Sequence, residues 1–461
     1  MAGAAGRVGS AVVVGASMAG IFAAAALAQS GYQVTVLERD RLPSTARSRR
    51  GVPQGEQAHV LLHRGLVTID ELLPGFRAGL LSRGAMPFDT GQMPWLGEFG
   101  WLDTSVPAFE VVSATRPLME AVARERLLEL PMVSVRDDVT VSGLVADRRG
   151  WRARTAAGEF TSDIVVDASG RSSRLEHWLP GLGRPRVEQV DAQMGYACRL
   201  YAERVPTPLR AGVMILNSPM VGTAGLALPV EGDRWLVAAA GFGDKRPPRD
   251  EIAFERFLAD LPDPGITDLV SLLDPAGPVR IYRQTANQRR RWDRCDGWPR
   301  GLLVVGDALC AFNPVYGQGI TVAAQQASAI RAALGVGKPI DRLLQRQMIR
   351  ITDTPWSMAT TADLRHPSCP GHLNAGQRLS FAWASRLGRL AAAGDVRCTR
   401  SLAAVNHLMV SPVALFHPAL VGRVARPIPR RRISRPRVLE DLSQARSSAS
   451  RRPPPAAPTD A

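Results

Sequence analysis

Near the start of the chain, Gly15-Ala16-Ser17-Met18-Ala19-Gly20 has the spacing of a loop that lets a phosphate chain approach the backbone. A glycine at 15 permits the tight turn that must follow a strand. A small residue at 17 leaves room for a pyrophosphate, and Gly20 lets the next helix pack closely on that strand. The helix N-terminus then offers unpaired N–H groups and the positive end of its dipole. Glu38 stands eighteen residues beyond Gly20, with Arg39 beside it. An acid at that distance accepts hydrogen bonds from an adenosine ribose and disfavours a 2′-phosphate. Ser17 replaces the usual middle glycine. The pattern suits the adenosine half of FAD or of NAD; the plain alternative is an alanine-rich strand-to-helix turn.

A second group separates those two cofactors. Gly306-Asp307 closes an apolar run, and Pro314, Gly317 and Gly319 lead into a helical stretch. An Asp there can accept from the ribityl hydroxyls of a flavin. The Pro-x-x-Gly-x-Gly turn brings backbone N–H groups and a helix N-terminus to the pyrimidine side of the ring, where the dipole favours the negative charge of the reduced form. A third string, Asp167-Ala168-Ser169-Gly170-Arg171-Ser172-Ser173-Arg174, also follows an apolar run.

These residues need strands and helices to hold them. Residues 11–14 form a short apolar, β-branched run, the mark of a buried parallel strand. Residues 21–29 read as a helix and 33–38 as the next strand, so the chain opens on a βαβ unit of an α/β, doubly wound core. Residues 61–73 and 116–130 read as helices, 82–112 as strands near a ligand, and 163–167 as another buried strand. From about 182 to 282 short strand-like runs predict an inserted, mainly antiparallel substrate-binding sheet. Residues 301–307 return to the first style, and a helix covers 320–334. The expected organisation is an FAD-binding domain in two parts, 10–181 and 283–335, a β-sheet domain at 182–282, and a helical C-terminal region at 336–425. Residues 426–461, rich in Pro and Arg, read as a disordered basic tail.

Composition narrows the rest. The 461 residues are 45% hydrophobic and 21% charged, which suits a globular chain of more than one domain. The net charge is +15, and the tail from Arg426 supplies +6 of it. With 55 Arg and 2 Lys, this basicity reads as codon bias, and no nucleic-acid-binding motif accompanies it. Five scattered Cys make no disulfide framework and point to a reducing cytoplasm. His366, Cys369 and His372 lack a fourth nearby ligand and read as a turn, so no metal is expected. The uncharged run 11–28 could be taken for a signal peptide or membrane helix. The loop spacing inside it and the strand after it favour the βαβ reading.

Together the strings AVVVGASMAG, RRGVPQGEQAH, TRPLME, VVDASGRSSR and GWPRGLLVVGDALCAFNPVYGQGIT resemble the FAD-dependent monooxygenase superfamily of the p-hydroxybenzoate hydroxylase fold. Within it the chain is most similar to bacterial epoxidases of polyether biosynthesis, of the lasalocid and monensin type, and more distantly to squalene epoxidase. The resemblance spans roughly residues 10–410. Gln57 stands where those relatives carry a His, and the DASG form at 167–170 also occurs in flavin halogenases.

The resemblance implies a Rossmann-like FAD domain with Arg50, Arg116 and Asp167 joining the cofactor site. His59 either lines the flavin cleft or caps the following helix. It implies NADPH or NADH as reductant, O₂ as co-substrate, and epoxidation of an alkene of a polyketide or terpenoid through a flavin C4a-hydroperoxide. The hard chemistry is then the cofactor's, and no catalytic side chain is named. Trp95, Phe99, Trp101, Met214 and Leu226 are candidates for an apolar substrate pocket. Alternatives are a hydroxylase, a geranylgeranyl-reductase-like enzyme and a halogenase. The last is disfavoured because the first Lys is Lys245 and no WxWxIP string occurs. Expected partners are a hydrophobic small molecule and a flavin reductase or carrier protein. No nucleic acid is expected, and membrane contact is at most peripheral, through the tail.

Overall fold

The computed structural model describes residues 8–148, 150–216 and 221–449. Its first layer is a five-stranded parallel sheet in the order Leu302–Val304, Ile164–Asp167, Ser10–Val14, Gln33–Leu37, Val133–Arg136. Strand Ser10–Val14 lies at its centre and is buried on both faces, which is why it reads as an unbroken apolar run. Helices Met18–Gln29, His63–Leu72 and Gly319–Gly335 pack against one another on this layer. Nine of the twelve residues of Met18–Gln29 are buried, so its alanine content reflects close packing on all sides.

The turn between strand and helix depends on its glycines. Gly15 has φ +105°, and a side chain there would come 2.6 Å from Ala168 O. A Cβ on Gly20 would lie 1.8 Å from Gly15 O.

The second layer is an eight-stranded sheet. Its path runs Leu273–Pro275, Met194–Glu203, Arg234–Phe242, Thr223–Val230, Val213–Leu216, Trp95–Gly97, Gly100–Trp101, with Arg280–Tyr282 also pairing with Met194–Glu203. Residues 95–101 therefore belong to the inserted sheet although they precede it by nearly a hundred positions. One face is sealed by helices Glu251–Ala259 and Gly265–Val270 around Tyr201, Trp235 and Phe254. The other face carries Trp95, Met214, Leu226, Ala238 and Cys198 in one row across five strands.

The tail differs from the sequence expectation. Arg437–Ala449 is a helix, and Leu439 and Leu442 are fully buried in the second core. Arg435 holds Asp263 at 2.8 and 3.1 Å, and Arg446 holds Asp268 at 2.8 Å. Proline and arginine content suggested disorder; two leucines three apart and two ion pairs dock the segment. Residues 450–461 lie outside the described residues. No described helix is long and apolar enough to cross a membrane, and no described cluster of His, Cys, Asp and Glu could hold a metal.

Candidate functional site

A cleft of ≈ 690 Å³ runs along the C-terminal edge of the parallel sheet. At one end it is lined by Gly15, Ser17, Met18, Ala19, Glu38 and Arg39, with Arg50 alongside. At the other end stand Gly306, Asp307, Pro314, Gly317 and Gly319. Arg116 lines the cleft as well. The two constellations, nearly three hundred residues apart in sequence, thus share one continuous wall.

Three predicted residues play other parts. Ala16 donates its N–H to Glu38 Oε2 at 2.8 Å, closing the loop from behind. Gly20 permits the helix contact described above. Asp167 is fully buried and accepts from Ser169 N at 3.0 Å, Ser169 Oγ at 2.5 Å and Ser173 Oγ at 2.5 Å. It shapes the loop that presents Ser169, Gly170 and Arg171 to the cleft and does not itself line it. Burial pushes its carboxyl up, against the serine hydrogen bonds.

Sequence reasoning missed the ion network beneath the phosphate loop. Arg49 contacts Glu38 at 3.2 Å, Asp40 at 3.1 Å and Glu120 at 3.2 Å. Glu120 Oε1 also accepts from Ser17 Oγ at 2.7 Å and from Arg116 at 3.0 and 2.9 Å. Burial opposes the Arg49 charge, but Glu120, Glu38 and Asp40 outweigh it and raise its pKa. Glu120 is pushed up by burial and pulled below the carboxylate range by Arg116 and then Arg49. The one signal available was the i, i+4 spacing of Arg116 and Glu120 on a helix.

The network answers whether these residues suit FAD. Arg49 Nη2 is buried with no hydrogen-bond partner, a donor left over beside the loop. Glu38 accepts from Ala16 N and from Asp40 N at 3.0 Å and is ion-paired with Arg49, so part of its accepting capacity remains for ribose hydroxyls. The Asp307 carboxylate accepts no hydrogen bond from the described residues and sits 3.8 Å from where a Cβ on Gly319 would lie. Burial raises its pKa, and Arg171, Arg116 and Arg290 oppose that rise. The seventeen-residue helix Gly319–Gly335 points its N-terminus here. A spare donor at one end, a spare acceptor at the other and a helix dipole beside it fit a dinucleotide flavin.

His59 lines the cleft and does not cap the next helix, whose N-cap is Leu62. Its Nδ1 lies 2.8 Å from Gln57 O. Burial, then the Arg116 charge, push it down to about 4, so it is neutral near pH 7. Gln57 Nε2 binds Arg280 O at 3.0 Å and serves the domain contact.

The apolar candidates divide by strand parity. Trp95, Met214 and Leu226 are half-buried in one row and pack with Ala58 and Val60, which line the cleft. Trp101 pairs opposite Leu96, one residue out of phase with Trp95, and is buried in the core behind the sheet. Phe99 lies at the hairpin tip, 5.3 Å from the Arg389 guanidinium, in a separate surface groove. Neither Trp101 nor Phe99 reaches the cleft.

Comparison with known proteins places this geometry. A family model described as an FAD binding domain matches residues 9–336. Protein Rv3254 of Mycobacterium tuberculosis is 32% identical over 392 residues, 78% of this chain and 82% of that protein. The 6-methylpretetramide 4-monooxygenase of Streptomyces rimosus is 28% identical over 342 residues, 70% of this chain and 75% of that enzyme. A flavoprotein/dehydrogenase of Cytophaga hutchinsonii superposes with a TM-score of 0.65 at 15% identity, covering 96% of this chain and 100% of that one, which shows a shared fold. With a cleft built for a dinucleotide flavin and a family match over most of its length, the chain belongs to the FAD-binding-domain family of flavin monooxygenases.

Proposed function

We propose that the protein inserts one oxygen atom from O₂ into a carbon–carbon double bond of an apolar polyketide or terpenoid, giving an epoxide, with NADPH or NADH as reductant. Bound FAD would pass two electrons from the nicotinamide to O₂, so that one oxygen atom goes to the alkene and the other leaves as water. The observation that carries the reading is the half-buried row Trp95–Met214–Leu226–Ala238 on the sheet face toward the cleft, an apolar surface beside the flavin site. Such a surface orients an alkene and keeps water from the reacting atoms. Cys198 ends the row with its thiol pushed up to about 12 by burial, so it stays neutral and inert. Neutral His59 adds no charge to the cleft. Transfer of oxygen to an alkene needs no side-chain proton donor or acceptor on the substrate.

A second reading is hydroxylation of an aromatic ring, favoured by the similarity to the 6-methylpretetramide 4-monooxygenase. Mass spectrometry of products formed under oxygen-18 from FAD-loaded enzyme, NADPH and a panel of alkenes and phenols separates the two. One heavy oxygen in an epoxide supports the first reading. A phenol bearing the label supports the second. A halogenated or saturated product, or label absent from every product, contradicts both.

A further inference from the structure

Residues 386–437 hold eleven arginines and one carboxylate, Asp395, a net +10 in a chain whose total is +15. They surround a surface groove in two lobes of ≈ 710 and ≈ 610 Å³ that share Ala393 and Pro429. Arg389, Arg430, Arg431 and Arg432 line the first lobe, and Arg397 and Arg400 the second. Among the described residues none of these six forms an ion pair, and the carboxylates nearby are engaged. Glu98 is held by Arg365 at 2.7 Å, and Asp395 by Arg423. Asp103 feels the Arg431 charge, but its carboxylate is taken by Ser105 at 2.9 and 2.7 Å. A concave surface with this excess of guanidinium attracts anions, and the planar fork suits carboxylate or phosphate.

The groove also adjoins the sheet that faces the cleft. Leu96, Ile215 and Leu216 form part of its wall. Leu216 lies on the cleft-side face, two residues from Met214, and packs in one cluster with Tyr196, Ala224, Ala240 and Tyr282. Tyr282 in turn lines the flavin cleft. Charge and apolar surface therefore meet at Leu216, with the flavin cleft beyond.

We infer that the groove binds the acidic head, carboxylate or phosphate, of an amphiphilic substrate whose apolar body lies along Trp95, Met214 and Leu226. This rests on the reading that the sheet face holds the substrate. It gives a use to Phe99, to Arg389 above it, and to the basic segment 428–432.

The test measures binding to FAD-loaded protein by titration calorimetry, so it is independent of oxygen insertion. The probes are oleate, oleyl phosphate and oleyl alcohol at low salt. Oleate or oleyl phosphate should bind about tenfold more tightly than the alcohol, as a few exposed charge pairs together provide, and salt should erase the difference. A better phosphate points to a phosphate-tethered chain, a better carboxylate to a free acid; both support the site. Arg430→Ala/Arg431→Ala/Arg432→Ala should lose the preference while keeping alcohol binding and FAD content. Arg83→Ala/Arg152→Ala/Arg204→Ala removes the same charge elsewhere and should keep it. Trp95→Ala should weaken all three probes alike, which reports on the sheet face separately. Equal binding of acid and alcohol, binding of no probe, a preference that survives the groove variant, or one lost equally in the control overturns the inference.

Discussion

Glu120 is a buried carboxylate and Asp307 a half-buried one on the cleft wall; their surroundings push them in opposite directions, and each makes a distinct prediction. Glu120 lies between Arg49 and Arg116 with its pKa below the ordinary 4.5. Its stabilising contribution is present above that ordinary value and is lost as pH falls through the lower folded value. Glu120→Ala leaves two guanidiniums facing each other and should cost about 3–5 kcal/mol, read by thermal or urea unfolding near pH 7. Asp307 has its pKa raised above the ordinary 3.8 by burial. Its contribution to stability is complete only below that value and is lost as pH rises through the folded one. Asp307→Asn should therefore raise the melting temperature of the FAD-free protein at pH 7 while weakening FAD binding. A lower melting temperature would mean that the carboxylate is held by protein donors. Asp307 was legible from Gly306-Asp307 and the turn after it because those spacings are local. The Arg49–Glu120 contact joins residues 71 positions apart and leaves no periodic trace.

At the level of elements, the C-terminal helix is the main departure from the sequence expectation. Arg437–Ala449 closes the core behind the substrate sheet through Leu439 and Leu442. Leu439→Ala should cost about 2–5 kcal/mol. Removing residues 437–461 should expose that core and lower the melting temperature, with the FAD-binding layer less affected because the helix packs on the other sheet. Unchanged melting after the deletion would return the segment to a dispensable tail. Proline and arginine outweighed the leucine spacing in the sequence reading, since only two buried leucines mark the apolar face of this thirteen-residue helix. Strand parity explains the aromatic candidates: Trp95 and Trp101 lie on opposite faces because they sit in adjacent hairpin strands one position out of phase. The number of residues in that hairpin turn cannot be read from composition, so both looked equally suited to a pocket.

At the scale of the whole molecule, two distant constellations line one cleft whose residues suit a dinucleotide flavin. The parallel βαβ order was visible in the sequence for Ser10–Val14, Gln33–Leu37, Ile164–Asp167 and Leu302–Val304, which are short, mostly apolar runs near a glycine turn, whereas the edge strand Val133–Arg136, with Ser134 and Arg136 in it and no glycine beside it, left no such mark. The recruitment of residues 95–101 to the later sheet was not, because long-range pairing leaves no mark on local periodicity. The most direct measurement is the dissociation constant of the cofactor-free protein for FAD and for FMN, by quenching of flavin fluorescence, with circular dichroism to confirm the fold. On this account the loop at Gly15, Glu38 and the spare Arg49 donor would hold the adenosine and pyrophosphate half, which FMN lacks. FAD should therefore bind more tightly by about a hundredfold, the worth of two or so net hydrogen bonds to charged groups. Equal affinity for FAD and FMN in a folded protein would contradict the account, because the N-terminal constellation would then have no cofactor to hold.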